Sequence, residues 1–159
     1  MQGIEQGIRV LDVTSKQSTN AVSGDGYAVG SLDGMGNGPG FRKIRRELDV
    51  KEFGVNAIVM PEGISSGFHF HERQEELYFV HSGEIEIEFG DGEKHRLGPG
   101  GMARVDAATH RKVENFGPGD ATYVIIGAEG GYVGRDGQVP EGDERMRTPD
   151  SGISDSPAA

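Results

Sequence analysis

Apolar and polar residues alternate without a break along Glu84-Ile85-Glu86-Ile87-Glu88-Phe89, so Ile85, Ile87 and Phe89 face one side of a strand and the glutamates the other. Similar runs flank it. Val55-Asn56-Ala57-Ile58-Val59-Met60 reads as a strand stopped by Pro61, and Leu77-Tyr78-Phe79-Val80 as another closed by Ser82-Gly83. Gly90-Asp91-Gly92 makes a hairpin turn into Lys94-His95-Arg96-Leu97. Met102 to Val105, Arg111 to Asn115 and Thr122 to Ile126 supply further short strands. Turn residues separate these runs at intervals of about 8–12 residues, the spacing of a sandwich or barrel. No segment carries the period of an amphipathic helix, and no internal repeat is visible. The pattern predicts an all-β fold built as a small antiparallel barrel.

Either side of this body the pattern weakens. Residues 1–41 hold one apolar patch, Ile8-Arg9-Val10-Leu11-Asp12-Val13, which predicts an edge strand, and then a Gly-rich approach with Gly34, Gly36, Gly38 and Gly40 that cannot be a helix. Residues 42–133 form the barrel. Residues 134–159 are nearly free of large apolar groups and carry Pro140, Pro149 and Pro157, which predicts a mobile polar tail.

Composition narrows the function classes. A formal net charge of −10 disfavours a phosphate backbone as partner. The one basic run, Arg42-Lys43-Ile44-Arg45-Arg46, reads as the wet face of a strand. The chain has no cysteine, which removes disulfides and thiolate ligands and suits a cytoplasmic protein. It shows no signal peptide and no stretch long enough to span a membrane. Glycine, 27 of 159 residues with no fixed period, fits a protein of many turns.

The candidate chemistry begins at His69-Phe70-His71. On a strand, both imidazoles project to one side and Phe70 to the other. A short polar link, Glu72 to Glu75, leads to a strand starting at Glu76; if it runs back beside the first, that carboxylate returns to the level of the histidines. Two histidines and a carboxylate on one face of a metal leave the opposite positions open. A His-x-His pair by itself is more often a polar patch on a half-wet strand, and paired glutamates more often surface charge.

Five residues at fixed gaps change that balance. Gly63, His69, His71, Glu76 and Gly83 match at every spacing the first motif of the cupin family, which the chain resembles over roughly Val55 to Ala128. The resemblance implies a double-stranded β-helix, or jelly roll, binding one divalent metal ion (iron, manganese, nickel, copper or zinc) through His69, His71 and Glu76. The second cupin motif is only partly present. Pro99-Gly100-Gly101 carries its first half, but His110 lies five residues before Asn115 rather than four, and Arg111 stands where the family places its fourth ligand. A one-residue slip turns His110 to the other face unless a β-bulge intervenes. Two ligand sets therefore stand open. One adds His110; the other is the triad alone, with Arg111 near the pocket to grip an anionic substrate.

The resemblance implies a metal-dependent enzyme acting on a small organic molecule, with oxygenase-like chemistry ahead of isomerase or lyase chemistry, or else a non-catalytic binding module. Glu76, Tyr78 and Arg111 are the candidate catalytic residues, Glu76 as a base and Tyr78 as a packed residue sharing its face. A homodimer through sheet edges is expected, with no nucleic-acid or membrane partner. His81 reads as structural or interfacial and His95 as solvated, Met60 and Met102 as core fillers, Ser65 and Ser66 as no triad, and Gly98 to Gly101 as a turn.

Overall fold

The structure is a computed structural model that describes residues 21–143. Twelve strands run β1 (Val22–Gly24), β2 (Tyr27–Val29), β3 (Gly40–Arg42), β4 (Gly54–Met60), β5 (Phe70–His71), β6 (Glu75–Ser82), β7 (Ile85–Phe89), β8 (Lys94–Leu97), β9 (Met102–Val105), β10 (Arg111–Glu114), β11 (Ala121–Ala128) and β12 (Gly137–Gln138). The single helical turn of α-type, α1, is Ile44–Glu47. A five-stranded antiparallel sheet has the order β3-β4-β11-β6-β9, and a three-stranded one the order β10-β7-β8. Two small ribbons, β1-β2 and β12-β5, complete the set.

The alternation read from the sequence is what joins the sheets. Tyr78 and Val80 on β6, Tyr123 and Ile125 on β11, and Ile58 and Met60 on β4 pack in one cluster with Ile85, Ile87 and Val113 of the three-stranded sheet. The two antiparallel sheets thus bury one face each in a shared core, the arrangement of a jelly roll. Register carries the pattern across: Tyr78 lies beside Ile125, and Ile125 beside Asn56. On the opposite face of β7, Glu86 and Glu88 form a ladder of ion pairs with Lys94, Arg96 and Lys112.

Several expectations meet a different outcome. The basic run is not one wet strand. Arg42 ends β3 and is buried, its guanidinium donating to the carbonyls of Gly38 at 2.7 Å and Gly40 at 3.5 Å, and the rest turns into α1. The Gly-rich approach gives those carbonyls to Arg42 and includes a three-residue 3-10 turn at Asp33–Met35. Met102 is 61% exposed on the outer face beside Phe79, not a core filler. Within the segment expected to be a tail, Gly137 and Gln138 pair with His71 and Phe70. The apolar patch Ile8 to Val13 lies outside the described residues.

Gly83 shows why the turn after β6 needs glycine. Its φ is 71°, in the left-handed region, and a Cβ there would sit 2.6 Å from the Asp120 carbonyl oxygen and 2.7 Å from Ala121 Cα. Gly92 has a φ of 91° but nothing near its absent Cβ. Gly83→Ala is therefore expected to lower stability by about 2–4 kcal/mol through strain and overpacking together. Gly92→Ala bears the backbone cost alone, about 1–2 kcal/mol. Urea unfolding of both variants tests this, and equal losses would show that the Asp120 contact is immaterial.

Candidate metal centre

Three segments meet at one end of the core. His69 pairs with Arg111 as antiparallel neighbours, through His69 N to Arg111 O at 3.0 Å and Arg111 N to His69 O at 2.9 Å. His71, two residues on, is fixed by its own amide to Ala107 O at 2.8 Å. Glu76 enters from β6, between Gly127 of β11 and Val105 of β9. One ligand atom from each of His69, His71 and Glu76 lies within 4.8 Å of the other two. His71 Nε2 and Glu76 Oε1 lie 3.1 Å apart.

The partners of the ring nitrogens show which atoms point inward. His69 Nδ1 lies 3.3 Å from Gly67 O, and His71 Nδ1 lies 2.7 Å from Asp136 Oδ1. A carbonyl or a carboxylate oxygen only accepts, so Nδ1 is the donor in each ring; His71 Nε2, 3.1 Å from Glu76 Oε1, shares a proton with that carboxylate, which a bound ion would displace. The two Nε2 atoms and a carboxylate oxygen are a donor set that divalent first-row metals take, and a second carboxylate behind a ligating imidazole is a common feature of metal sites. The residues fit such an ion.

Glu76 is divided between two tasks. Its Oε2 accepts from Tyr78 Oη at 2.7 Å and Arg111 Nη2 at 2.9 Å, which leaves Oε1 toward the histidines. The side chains of this ion pair are 0% exposed at Arg111 and 2% at Glu76. Arg111 Nη1 donates to the carbonyls of Ala107 at 3.1 Å and Thr109 at 2.7 Å, and Nε approaches Tyr78 Oη at 3.4 Å. Two buried charges thus neutralise each other and are hydrogen-bonded on both sides, the condition under which their desolvation is offset.

The surroundings set the protonation states. Burial lowers His69 from 6.5 to about 4, against the pull of Glu76, so this ring is neutral at pH 7. Burial also opposes the charged form of His71, but hydrogen bonds and charge from Glu76 and Asp136 outweigh it and raise the ring's pKa. Burial works against ionised Glu76 as well; His71, Arg111 and Tyr78 together bring it down to about 2. Burial of Tyr78 and the Glu76 charge beside it push the phenol well above its ordinary value.

Not every expected residue joins the group. His110 lies outside it: β10 pairs with β7 in unbroken register, so no bulge restores that side chain, and its ring stacks on Phe70 at 4.8 Å. Phe70 points away from the metal ligands, and His110 goes with it. Arg111 takes the inward position. It is no open grip for an anionic substrate, because its guanidinium is turned into the core and already committed to Glu76, Tyr78 and two carbonyls. Ser65 and Ser66 bond locally, to Gly67 and Val113, and form no triad.

Two buried residues carry no signal of their own in the sequence. Asp136 comes from a segment that reads as polar tail. Gln74 lies in the short polar link yet is 1% exposed, and its amide nitrogen donates to Asp136 Oδ1. A Cβ on Gly127 would collide with Gln74 Oε1, so that glycine makes the room.

Two outcomes follow for the metal-free protein. Arg111→Met strips the buried Glu76 of its counter-charge, with an expected loss of about 3–5 kcal/mol. Added zinc, a replacement counter-charge, should raise the melting temperature of this variant more than that of the wild type. A variant as stable as wild type without metal would contradict the assignment. Acid should act in a defined window. Glu76 and Asp136 are held down to about 2 from 4.5 and 3.8, so their contribution is whole above those ordinary values and is lost as pH falls toward about 2. His69 adds loss of the same sign from 6.5 down to about 4, and His71, with a raised pKa, opposes it near neutrality. Urea midpoints that stay flat below about pH 4.5 would contradict this.

A family model described as "Cupin domain" matches residues 56–127. No curated protein matches the chain. Among solved structures, an uncharacterised conserved protein with a double-stranded β-helix domain from Klebsiella pneumoniae superposes with a TM-score of 0.60 at 21% identity, covering 71% of this chain and 91% of that one. A cupin protein from Bacteroides fragilis gives 0.54 at 22%, covering 69% and 90%. The DMSP lyase DddQ from Ruegeria pomeroyi gives 0.51 at 22%, covering 57% of this chain and 45% of the lyase. The chain thus spans less than half of that enzyme's length, and these likenesses show the fold alone. Family match, jelly-roll architecture and intact first motif agree: the chain carries a cupin domain over residues 56–127.

Proposed function

We propose that His69, His71 and Glu76 hold one divalent metal ion and that the protein acts on a small organic molecule, with oxygenase-like chemistry ahead of isomerase or lyase chemistry. One observation carries this reading. Two imidazoles, each held through Nδ1, and one carboxylate oxygen converge, while the inward position of β10 is filled by Arg111 rather than by a fourth ligand. Two histidines and a carboxylate on one face, with the remaining positions open, are the pattern of non-haem iron oxygenases. When bound, such an ion supplies Lewis-acid polarisation of a chelating substrate and, if redox-active, electron transfer with oxygen.

The chain's own residues prepare the site. Arg111 and Tyr78 immobilise Glu76 by its far oxygen, so the near oxygen points at the ligand group without freedom to rotate. Both act through Glu76 and are positioning groups. The phenol of Tyr78, with its raised pKa, stays protonated as a donor. That a DMSP lyase shares this fold supports a small-molecule substrate here. A homodimer is part of the proposal, supported by Leu77, Phe79 and Met102, which leave apolar surface on the outer face of the five-stranded sheet. A cytoplasmic setting is supported by the lack of cysteine.

A second reading, a non-catalytic small-ligand or metal-binding module, has its own support. Arg111 cancels the charge of Glu76 and has little donor capacity left for a substrate. Elemental analysis of protein purified without a tag or chelator tests the first claim. About one equivalent of iron, manganese, nickel, copper or zinc per chain is expected, lost in His71→Ala while the variant stays folded. Full occupancy in that variant would remove His71 from the ligand set. Oxygen uptake with a diketone, catechol or flavonol, run beside thermal-shift measurements on the same compounds, then separates enzyme from binder. A ligand that stabilises the protein but is never consumed points to the binder.

A further inference from the structure

The carboxylate behind His71 comes from a part of the chain remote from every ligand. Asp136 is 65 residues from His71 in sequence and is buried, carried in by the ribbon in which β12 pairs with β5. Its four contacts are all to N–H groups. Oδ1 accepts from His71 Nδ1 at 2.7 Å and from the Gln74 side-chain amide, and Oδ2 accepts from the amides of Arg73 at 2.9 Å and Gln74 at 3.0 Å. A carboxylate has about four lone-pair sites, and here each meets a donor.

We infer that Asp136 is a positioning residue for the metal: it fixes the proton of His71 on Nδ1, presents Nε2 to the ion, and supplies the net negative charge that the ligand set lacks. This rests on the metal-binding reading above. The charge argument is direct. Glu76 is matched by Arg111, and both imidazoles are neutral ligands, so the group around the ion carries no net charge until Asp136 is counted. Hydrogen bonding to Nδ1 also makes the imidazole a stronger donor at Nε2.

The all-donor surroundings make asparagine an informative replacement. With its oxygen turned to the backbone amides of Arg73 and Gln74, the Asn NH2 faces His71 Nδ1. That nitrogen must then accept, which moves the ring proton to Nε2, the atom that faces Glu76 and the ion. Asp136→Asn is nearly the same size as the native residue yet inverts the instruction, whereas Asp136→Ala merely withdraws it.

The experiment measures zinc affinity by chelator competition for wild type, Asp136→Ala, Asp136→Asn and Gln138→Ala. Gln138, two residues on in β12, directs its side-chain amide to the exposed Glu72 carboxylate at 3.3 Å, away from the site, and serves as the control. Melts of the metal-free proteins report folding, and long-range 1H–15N spectra of the imidazoles, taken where the rings are neutral, report the tautomer. Asp136→Ala should bind zinc about 10–100-fold more weakly than wild type. Asp136→Asn should lose at least as much and show His71 protonated on Nε2, and Gln138→Ala should change little. Unchanged affinity in folded Asp136→Ala and Asp136→Asn overturns the inference and leaves the metal reading standing. If alanine prevents folding, the asparagine variant decides. Absence of zinc binding by wild type overturns the metal reading instead; the spectra then decide on Asp136, whose positioning role falls if wild type and Asp136→Asn share one tautomer.

Discussion

A carboxylate buried at 2% exposure is the constraint from which the rest of this site follows. Glu76 can be ionised there only because Arg111 and Tyr78 hold one of its oxygens while His71 faces the other. Each compensating group needs its own support. Arg111 is held by two backbone carbonyls at the start of β10, and His71 by Asp136. The chain of dependence runs from β6 to β10 in one direction and to β12 in the other, so the site is also a clasp across the fold. Removing a member leaves a charge in the core with nothing to answer it, a heavier cost than loss of one contact.

How much of this was legible in the sequence depended on how local each signal is. The strands of the body were visible because alternation is a property of neighbours: β7 and β9 appear where the pattern puts them, and β6 and β11 run a few residues longer. The ligand group was visible because His-x-His is set by strand geometry and the family motif adds Glu76. His110 and Arg111 were a choice between two registers, which needs the strand's pairing to decide. Without a bulge the register gives the inward position to Arg111. Asp136 and Gln74 were not legible at all. Polar residues in a Gly-rich segment look the same whether they end in water or in a saturated hydrogen-bond site, and only the β12-β5 pairing separates the cases. Arg42 was misread for a related reason: its partners are carbonyls, which every sequence has.

The arrangement of Arg111 has chemical meaning whichever activity the site serves. A guanidinium stays protonated under all physiological conditions. Set beside His69, His71 and Glu76, it keeps that carboxylate from taking up a proton and would temper its pull on a bound dication. The site therefore favours a ligand group whose charge is constant over one that adapts. The cupin fold hosts many reactions, and it is this local chemistry, more than the shape of the sheets, that restricts the choice.

The ribbon of β5 and β12 also ties the site to the part of the chain beyond β11. His69, His71, Glu76 and Arg111 all precede β11, and the hydrogen bonds that seat them are available once that strand has closed the five-stranded sheet. Asp136 follows it, and its contact with His71 closes a loop of 65 residues. The last carboxylate of the site is thus supplied by the segment that follows the final strand of the large sheet. A chain ending just past β11 would hold His69, His71, Glu76 and Arg111 but lack both the strand that pairs with β5 and the carboxylate that accepts from His71 Nδ1.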